Sequence, residues 1–353
     1  MAVLTELQGV GLIEKDTNSD VLWTWSYPSI SGEKRDLLMK KCCLKRDSNE
    51  VIQLVFGQHG RQWYYIYTTE VEDIPVLSRV KYFSLVLLSK DYNPEKYKTL
   101  CQILSKLFLE TGNPATMLQG YLSVLTKGSC TCVDNGTFAV EDHDARKSYI
   151  ASSIKDVIRV FGVETILIYT ALILKKRVAV YHSKLEELLQ FTRALPTLVW
   201  HRQNWNILYP YVHLDEEELT DVKSTTNTYI IGSLDSTLET RNDLYDIFIN
   251  VPHNEIIVAT HVKESFNMGK IHKDIAQLMV QSAQDEDKSD QQIIKEIAVK
   301  TKDLINNLKT LATPSEDGGT PKITLEALQE RQMPPAMENF LFNLAAAEGF
   351  VQF

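Results

Sequence analysis

The stretch FGVETILIYTALILKKRVAVYHSKLEELLQFTRALPTLVW, at residues 161–200, alternates apolar helical segments with short extended ones. Its periodicity predicts an apolar helix over Glu164–Leu174, a strand at RVAVYH, a helix over Leu185–Ala194 and a strand at TLVW. Helices that alternate with short buried strands are typical of an α/β layer with parallel strand pairing. Three more short strands are predicted further along, at residues 229–232, 245–250 and 255–259.

The segments that follow this layer are predicted to be helical. Apolar residues recur at helical spacing in two stripes between residues 264 and 312, and the acidic turn Asp285–Asp290 separates the stripes. A polar loop at Thr313–Pro321 then precedes two more predicted helices, Leu325–Arg331 and Ala336–Ala347. The C-terminal region is therefore expected to be entirely helical.

The segments that precede the layer alternate as strands do. Residues 10–16 and 21–28 predict one hairpin, and residues 51–56 with 62–68 predict a second one around a Gly-rich loop. The apolar run Tyr82–Ser89 predicts a central strand, and a helix begins after it at Asn93-Pro94 and ends at Thr111. This region is expected to be an antiparallel sheet covered by helices.

A small, polar, Gly-containing segment separates the two regions and is followed by a helix predicted from Ala145 to Val160. We therefore divide the chain into an upstream lobe at residues 1–127, a linker at 128–144, a central α/β region at 145–262 and a downstream helical region at 263–353.

The composition is that of an ordinary globular protein, with 353 residues, of which 44% are hydrophobic and 24% are charged. The 37 basic and 46 acidic residues leave a formal net charge of −9, which repels phosphate backbones and argues against a nucleic-acid partner. The longest apolar stretch, Val163–Leu174, is shorter than the ~20 residues of a bilayer span. No basic leader precedes Glu6, so we expect a cytoplasmic chain.

Signatures of covalent or nucleotide chemistry are absent from the sequence. It contains no P-loop, no Rossmann glycine fingerprint, no Gly-x-Ser-x-Gly and no His-Glu-x-x-His. The five cysteines lack the spacing of a disulfide framework or a zinc site. Asp142-His143-Asp144 has the residue types that orient a general base, but its polar surroundings favour simple solvation. We expect no cofactor and no metal, and an enzyme of covalent chemistry stays open as a third possibility.

Aromatic side chains gather on one predicted strand, VLWTWSYP at residues 21–28. Strict alternation places Trp23, Trp25 and Tyr27 on the same face. Such rings either fill a core or anchor a protein partner, since they bury a large area at low entropic cost. We interpret Trp23 as a core residue. For Trp25 and Tyr27, near the strand end, both alternatives stay open, and these two are the candidate contacts with a scaffold partner.

A second aromatic motif, WHRQNW at residues 200–205, follows the predicted strand TLVW. Its tryptophans, Trp200 and Trp205, either pack against the sheet or flank a functional turn. The polar residues between them, Arg202, Gln203 and Asn204, are expected to point outward at a strand end, where α/β folds gather functional loops.

The order of these motifs resembles that of DENN domains. Residues 161–200 resemble the central segment of that family, and WHRQNWNILYPYVHL resembles the aromatic, proline-ended stretch that follows it. The segment TYIIGSLDSTLETRNDLYDIFINVPHNEIIVA then resembles the later strands of the family. One departure is the absence of the second proline that many members carry after Tyr209-Pro210. The resemblance covers essentially the whole chain.

The resemblance implies an α+β, longin-like lobe followed by a three-layer α/β DENN core with an all-helical C-terminal region. It also implies exchange of GDP for GTP on a Rab-family GTPase, which would lie nucleotide-free in the groove between lobes. The candidate contacts near that groove are Trp200, Arg202, Gln203 and Asn204. Such exchange needs no covalent chemistry, because a partner that prefers the nucleotide-free GTPase lowers nucleotide affinity by linkage.

Within the family, the segments at residues 9–23 and 338–348 are most similar to a short, module-only member associated with late endosomes and the Commander sorting assembly. That likeness implies a peripheral association with late endosomes, in which membrane contact is indirect. The alternative to exchange activity is therefore a non-catalytic subunit that docks on coiled-coil subunits of the Commander assembly through Trp25 and Tyr27.

Overall fold

The chain forms two compact units, Met1–Tyr149 and Ile150–Phe353, in a computed structural model. The structure describes residues 6–45, 51–132, 136–312 and 322–351. The predicted loop at Thr313–Pro321 lies outside the described residues. The division between the units falls shortly after the segment that the sequence assigned to a linker.

Among its described residues, unit 1 combines one five-stranded sheet, one small hairpin and four α-helices. Its sheet has the strand order β2-β1-β5-β4-β3, and every neighbouring pair is antiparallel. Both predicted hairpins and the central position of the third apolar run are therefore confirmed. The elements are β1 (Leu7–Asp16), β2 (Val21–Tyr27), α1 (Gly32–Lys41), β3 (Leu54–His59), β4 (Gln62–Glu70), β5 (Val80–Ser89), α2 (Pro94–Thr111), α3 (Pro114–Lys127), β6 (Ser129–Cys132), β7 (Gly136–Ala139) and α4 (Ala145–Ile150).

The turn between β3 and β4 is shorter than the sequence predicted. Gly57 to His59 continue β3, and only Gly60 and Arg61 form the turn, with φ angles of 57° and 59°. Two consecutive residues with positive φ are the geometry of a two-residue hairpin whose twist matches that of its strands. The glycine makes this turn possible at little steric cost.

Helices cover both faces of the unit 1 sheet. On one face, Tyr97 of α2 stacks on Tyr65 with ring centroids 4.4 Å apart, and Phe108 meets Phe83 edge to face at 4.9 Å. On the other face, Lys34 of α1 donates to the side chain of Gln62. The central strand β5 is consequently buried along most of its length, as its apolar sequence predicted.

Helix α2 begins and ends where the sequence predicted. The side chain of Asn93 accepts a hydrogen bond from the backbone N–H of Lys96 at 3.1 Å, which caps the N-terminus. Gly112 ends the helix in the left-handed conformation, with a φ of 63°. The predicted linker, by contrast, contains the hairpin β6–β7, whose four-residue strands are too short to show a period.

Unit 2 contains a second five-stranded sheet and a run of C-terminal helices. Strands β9, β10, β8 and β11 pair in parallel, as predicted, and β12 is antiparallel to β11 at one edge. The elements are α5 (Ile154–Phe161), α6 (Thr165–Ile173), β8 (Val178–Tyr181), α7 (Leu185–Ala194), β9 (Leu208–Tyr209), α8 (Glu216–Thr225), β10 (Ile230–Ser233), β11 (Ile247–Asn250), β12 (Glu255–Val258), α9 (Lys270–Gln284), α10 (Asp290–Lys309), α11 (Leu325–Gln329) and α12 (Pro335–Glu348).

Two predicted elements of unit 2 are wrong. The first three residues of TLVW belong to a 3₁₀ helix, Leu195–Val199, that continues from α7 and is entirely buried. A short apolar run fits a buried helix as well as a strand, so periodicity alone cannot distinguish them. The helix predicted from Ala145 to Val160 is interrupted after Ile150, because the side chain of Ser153 caps a new helix by accepting from the N–H of Asp156 at 3.3 Å.

The acidic turn between α9 and α10 is held by a lysine from α5. Lys155 Nζ donates to the carbonyl oxygens of Asp285 at 2.7 Å and of Lys288 at 3.0 Å. The backbone N–H of Lys155 donates to the carboxylate of Asp290 at 2.8 Å. The lysine side chain is mostly buried, so these contacts fix the corner between the two predicted C-terminal helices to the rest of unit 2.

We expect Gly232→Ala to destabilise the protein by about 1–3 kcal/mol, because the new methyl group has no space. A Cβ at Gly232 would lie 2.4 Å from the carbonyl oxygen of Pro210, which is backbone and cannot move aside easily. Urea unfolding measures the effect. Gly32→Ala is the control, since a Cβ there meets only the end of the Arg35 side chain, at 3.9 Å. Equal stability of the two variants would contradict this packing argument.

Candidate functional site

The aromatic strand β2 lies at an edge of the unit 1 sheet and pairs only with β1 among the described strands. Its register with β1 shifts near the middle: Trp25 is opposite Leu12, whereas Trp23 is opposite Ile13. Thr24 is therefore an extra residue, as in a β-bulge. Thr24 Oγ1 donates to the carbonyl oxygen of Leu12 at 3.2 Å, which holds this irregularity in place.

The shift changes which aromatic rings share a face. Cross-strand partners lie on the same face of a sheet, and neighbouring residues of a strand lie on opposite faces. Because Leu12 and Ile13 are neighbours, Trp25 and Trp23 lie on opposite faces. The prediction that Trp23, Trp25 and Tyr27 share one face is therefore wrong for Trp23.

Trp23 instead lies over a glycine of the neighbouring strand. A Cβ added at Gly11 would be 2.7 Å from Cζ2 of Trp23, so only glycine leaves room for the indole. Trp23 is partly exposed rather than fully buried. Trp23 therefore packs on the sheet, but because it is partly exposed it is not the core residue that the sequence predicted.

The two candidate scaffold contacts stay together on the other face. Tyr27 is 43% exposed, and its ring meets that of Tyr121 on α3 edge to face, at 6.3 Å between centroids. Trp25 is partly exposed, and nearby Leu22 is 59% exposed. Burial, followed by the proximity of Tyr27, raises the pKa of Tyr121 to about 12, so its hydroxyl stays neutral. The strand thus presents an apolar, aromatic surface that rests on a buried tyrosine.

The second candidate site, the turn between Trp200 and Trp205, is partly exposed. The rings of the two tryptophans meet edge to face at 6.0 Å, and Trp205 is buried. Gln203 and Asn204 are exposed, as predicted. Gln203 has a φ of 44°, and the side chain of Asn204 accepts from the N–H of Asn206 at 3.0 Å, which closes the turn locally.

Arg202 points inward, in contrast to the prediction. Its guanidinium donates to the carbonyl oxygens of Leu172 at 2.7 Å and Ile173 at 2.6 Å, at the end of α6. It also forms an ion pair with Glu348 at the end of α12, and His201 Nε2 lies 3.2 Å from the same carboxylate. The carbonyl oxygens of Leu172 and Ile173 and the carboxylate of Glu348 therefore hold the turn against the ends of α6 and α12.

This cluster could not be found from sequence spacing. Arg202 and Glu348 are 146 residues apart, and neither lies in a motif that links them. Burial by itself raises the pKa of Glu348, but the hydrogen bonds from His201 and Arg202 outweigh it and lower the pKa to about 2. The carboxylate is therefore ionised at neutral pH, as the ion pair requires.

The residues considered for metal or redox chemistry lie apart. Among the described residues, no three His, Cys, Asp or Glu side chains are arranged to hold a metal ion. His143 stacks on Phe138 with ring centroids 5.1 Å apart. The five cysteines are free thiols, and all except Cys43 are buried. None of the described helices has a segment long and apolar enough to cross a bilayer.

Comparison with known proteins assigns the family. A family model described as "SPA: Stabilization of polarity axis" matches residues 151–260, which contain all five strands of the unit 2 sheet and helices α5–α8. The chain is 49% identical to DENN domain-containing protein 10 of Danio rerio over 348 residues, 99% of both chains. It is 49% identical to the Homo sapiens protein of that name over 96% of this chain and 95% of the relative. The Dictyostelium discoideum protein of that name is 39% identical over 96% of each.

The chain therefore belongs to the DENN-domain family, and within it to the group of DENN domain-containing protein 10. This confirms the resemblance seen in the order of its motifs.

We expect Glu348→Gln to lower the free energy of unfolding at pH 7 and to lower it less at acid pH. The pKa of Glu348 is about 2 in the folded chain, against roughly 4.3 when unfolded, so ionisation stabilises the fold by on the order of 3 kcal/mol above pH ~5. That contribution is lost as the pH falls toward 2. Urea unfolding of both proteins between pH 7 and 3 should show their difference shrinking.

The control for this prediction is Glu264→Gln, which changes an exposed glutamate. It should leave the free energy of unfolding nearly unchanged at every pH. A constant difference between the wild type and Glu348→Gln across the pH range would show that the charge of Glu348 does not stabilise the fold.

Proposed function

We propose that the chain is a guanine nucleotide exchange factor for a Rab-family GTPase that acts in late endosomal trafficking. Its membership of the DENN-domain family carries this proposal, because proteins of that family are generally exchange factors rather than enzymes of covalent chemistry. Such a factor works through binding. A surface that binds the nucleotide-free GTPase more tightly than the GDP-bound form lowers the affinity for GDP by the same factor.

The turn at residues 200–205 has the properties of a contact surface for this purpose. Gln203 and Asn204 are exposed polar groups, and Trp200 adds a partly exposed ring beside them. Arg202 binds two backbone carbonyls beneath the turn and thereby keeps it in one conformation. A surface that is already ordered loses less entropy on binding. We therefore propose Trp200, Gln203 and Asn204 as GTPase contacts and Arg202 as the residue that positions them.

We expect the purified chain to accelerate GDP release from at least one late endosomal Rab, and Gln203→Arg to slow that exchange about tenfold. A new cation in a contact turn leaves an unpaired charge in the interface, and a loss of about 1.4 kcal/mol corresponds to a factor of ten. Release of a fluorescent GDP analogue across a full Rab panel measures both effects.

Gln291→Arg is the matched control, because it makes the same change at an exposed position on α10. It should leave the exchange rate unchanged. If no Rab of the panel releases GDP faster than its intrinsic rate, the exchange proposal is wrong and only a binding role remains.

A specific observation also favours the second function, a non-catalytic subunit that docks on coiled-coil subunits of the Commander assembly. Leu22, Trp25 and Tyr27 give β2 an exposed apolar, aromatic surface at a sheet edge. Tyrosine and tryptophan are enriched at the energetic centres of protein interfaces. In this proposal the chain reaches late endosomes through protein partners, and its exchange activity is weak or absent.

We expect the double substitution Trp25→Asp and Tyr27→Ser to abolish capture by these coiled-coil subunits while the melting temperature stays nearly unchanged. Both rings are at least partly exposed, so their loss removes contact area rather than core. Pulldown and thermal unfolding provide the two measurements. Val76→Asp, at another exposed apolar position of unit 1, is the control and should bind normally. A loss of stability of ~3–5 kcal/mol would instead show that the rings belong to the core.

A further inference from the structure

Helix α6 ends in a turn that usually contains glycine, but here a lysine occupies it. Lys175 has a φ of 53°, in the left-handed region. Its backbone N–H donates to the carbonyl oxygen of Leu172 at 3.1 Å, and that of Lys176 donates to Ala171 at 2.8 Å. These two hydrogen bonds define a Schellman motif, in which the left-handed residue is most often glycine because a Cβ is strained there. Helices α2, α3 and α12 of this chain do end in glycine.

The fold makes no use of the Lys175 side chain. The side chain is exposed, and among the described residues its ammonium group has no ion pair and no hydrogen bond. Glycine at this position would form the same two backbone hydrogen bonds without the strain. Strained backbone that the fold does not need is typical of binding and catalytic sites. Lys175 is therefore a candidate for contact with a partner.

A second strained residue lies in the neighbouring turn. Gln203 has a φ of 44° and is exposed in the turn at residues 200–205. The guanidinium of Arg202 donates to the carbonyl oxygen of Leu172 at 2.7 Å, and the same oxygen accepts from the N–H of Lys175. The two turns are therefore held side by side on one oxygen atom.

We propose that Lys175 forms an ion pair with an acidic side chain of the Rab-family GTPase, beside the contacts of Trp200, Gln203 and Asn204. This inference rests on the proposed exchange function and adds the charge that the partner carries at this place. An ammonium group without a partner attracts a carboxylate, and the attraction strengthens where the interface excludes water.

The charges of the chain favour a protein carboxylate over an anionic membrane. Binding to anionic lipid typically takes a cluster of roughly 4–8 lysines and arginines. The turn after α6 contains three basic residues, Lys175, Lys176 and Arg177, and Arg177 already pairs with Asp246 at 2.9 Å. The formal net charge of −9 further repels such a membrane.

Lys175→Gly separates the fold from the contact, because it removes both the strain and the charge. We expect the melting temperature to stay unchanged or to rise, while the affinity for the nucleotide-free GTPase falls about three- to fivefold. Gln332→Gly is the matched control, since Gln332 is exposed and has a φ of 50°. It should have the same effect on melting and none on binding. Thermal unfolding and titration of a fluorescently labelled, nucleotide-free panel of late endosomal Rabs measure the two quantities.

Charge reversal tests the ion pair directly. Lys175→Glu should weaken binding about tenfold and slow association most at low salt, whereas Lys175→Arg should retain the wild-type affinity. Lys300→Glu makes the same change at an exposed position of α10 and should bind normally. Because the GTPase is nucleotide-free, the phosphate of a nucleotide cannot be the anion that the lysine contacts. An acidic residue of the GTPase changed to lysine should in turn recover binding to Lys175→Glu.

Four distinguishable results would overturn the inference. A Rab that binds the wild type and Lys175→Glu equally would exclude the ion pair and leave the exchange proposal intact. Failure of every nucleotide-free Rab of the panel to bind the wild type would overturn the exchange proposal as well. A lower melting temperature of Lys175→Gly would show that the side chain stabilises the fold. Binding of the wild type to phosphatidylserine vesicles that Lys175→Glu abolishes would assign the lysine to a membrane.

Discussion

Unit 2 depends on one short strand that is buried on all sides. Val178, Ala179 and Val180 of β8 have no exposed surface, and β8 pairs in parallel with β10 on one edge and with β11 on the other. The same four residues of β8 pair on both edges, so the registers of its two neighbours are set together. A strand that is hydrogen-bonded along both edges and covered on both faces must be apolar throughout. The helices and turns that follow β8 in the chain are positioned by this pairing.

Two mostly buried cations hold the ends of helices that surround this sheet. The last carbonyls of a helix have no partner within it, and the helix dipole makes that end negative. Arg202 donates to Leu172 and Ile173 at the end of α6, and Lys155 donates to Asp285 just after α9. Each cation comes from a different part of the chain and so joins two elements. Through Arg202, the order of the candidate GTPase turn depends on the same contacts that stabilise the fold.

Much of the fold could be predicted because the spacing of apolar residues along the sequence indicates which positions are buried. The unit 1 hairpins, the central strand β5, the capped helix α2 and the paired helices α9 and α10 all follow from apolar spacing and from turn or cap residues. Prediction failed where two conformations bury the same residues, as in the segment Leu195–Val199. It also failed at Thr24, since one extra residue in a strand moves each following side chain to the opposite face.

The candidate sites also have some features that the sequence predicts and others that it does not. The amino-acid order alone shows which residue types are present: an aromatic strand, a polar turn between two tryptophans, no common catalytic motif, and the pattern of a family. How those residues are used follows from the packing of the folded chain. Packing places Trp23 on the other face from Trp25 and turns Arg202 inward to meet Glu348. These relations depend on contacts between distant segments, and such contacts form only when the whole core packs.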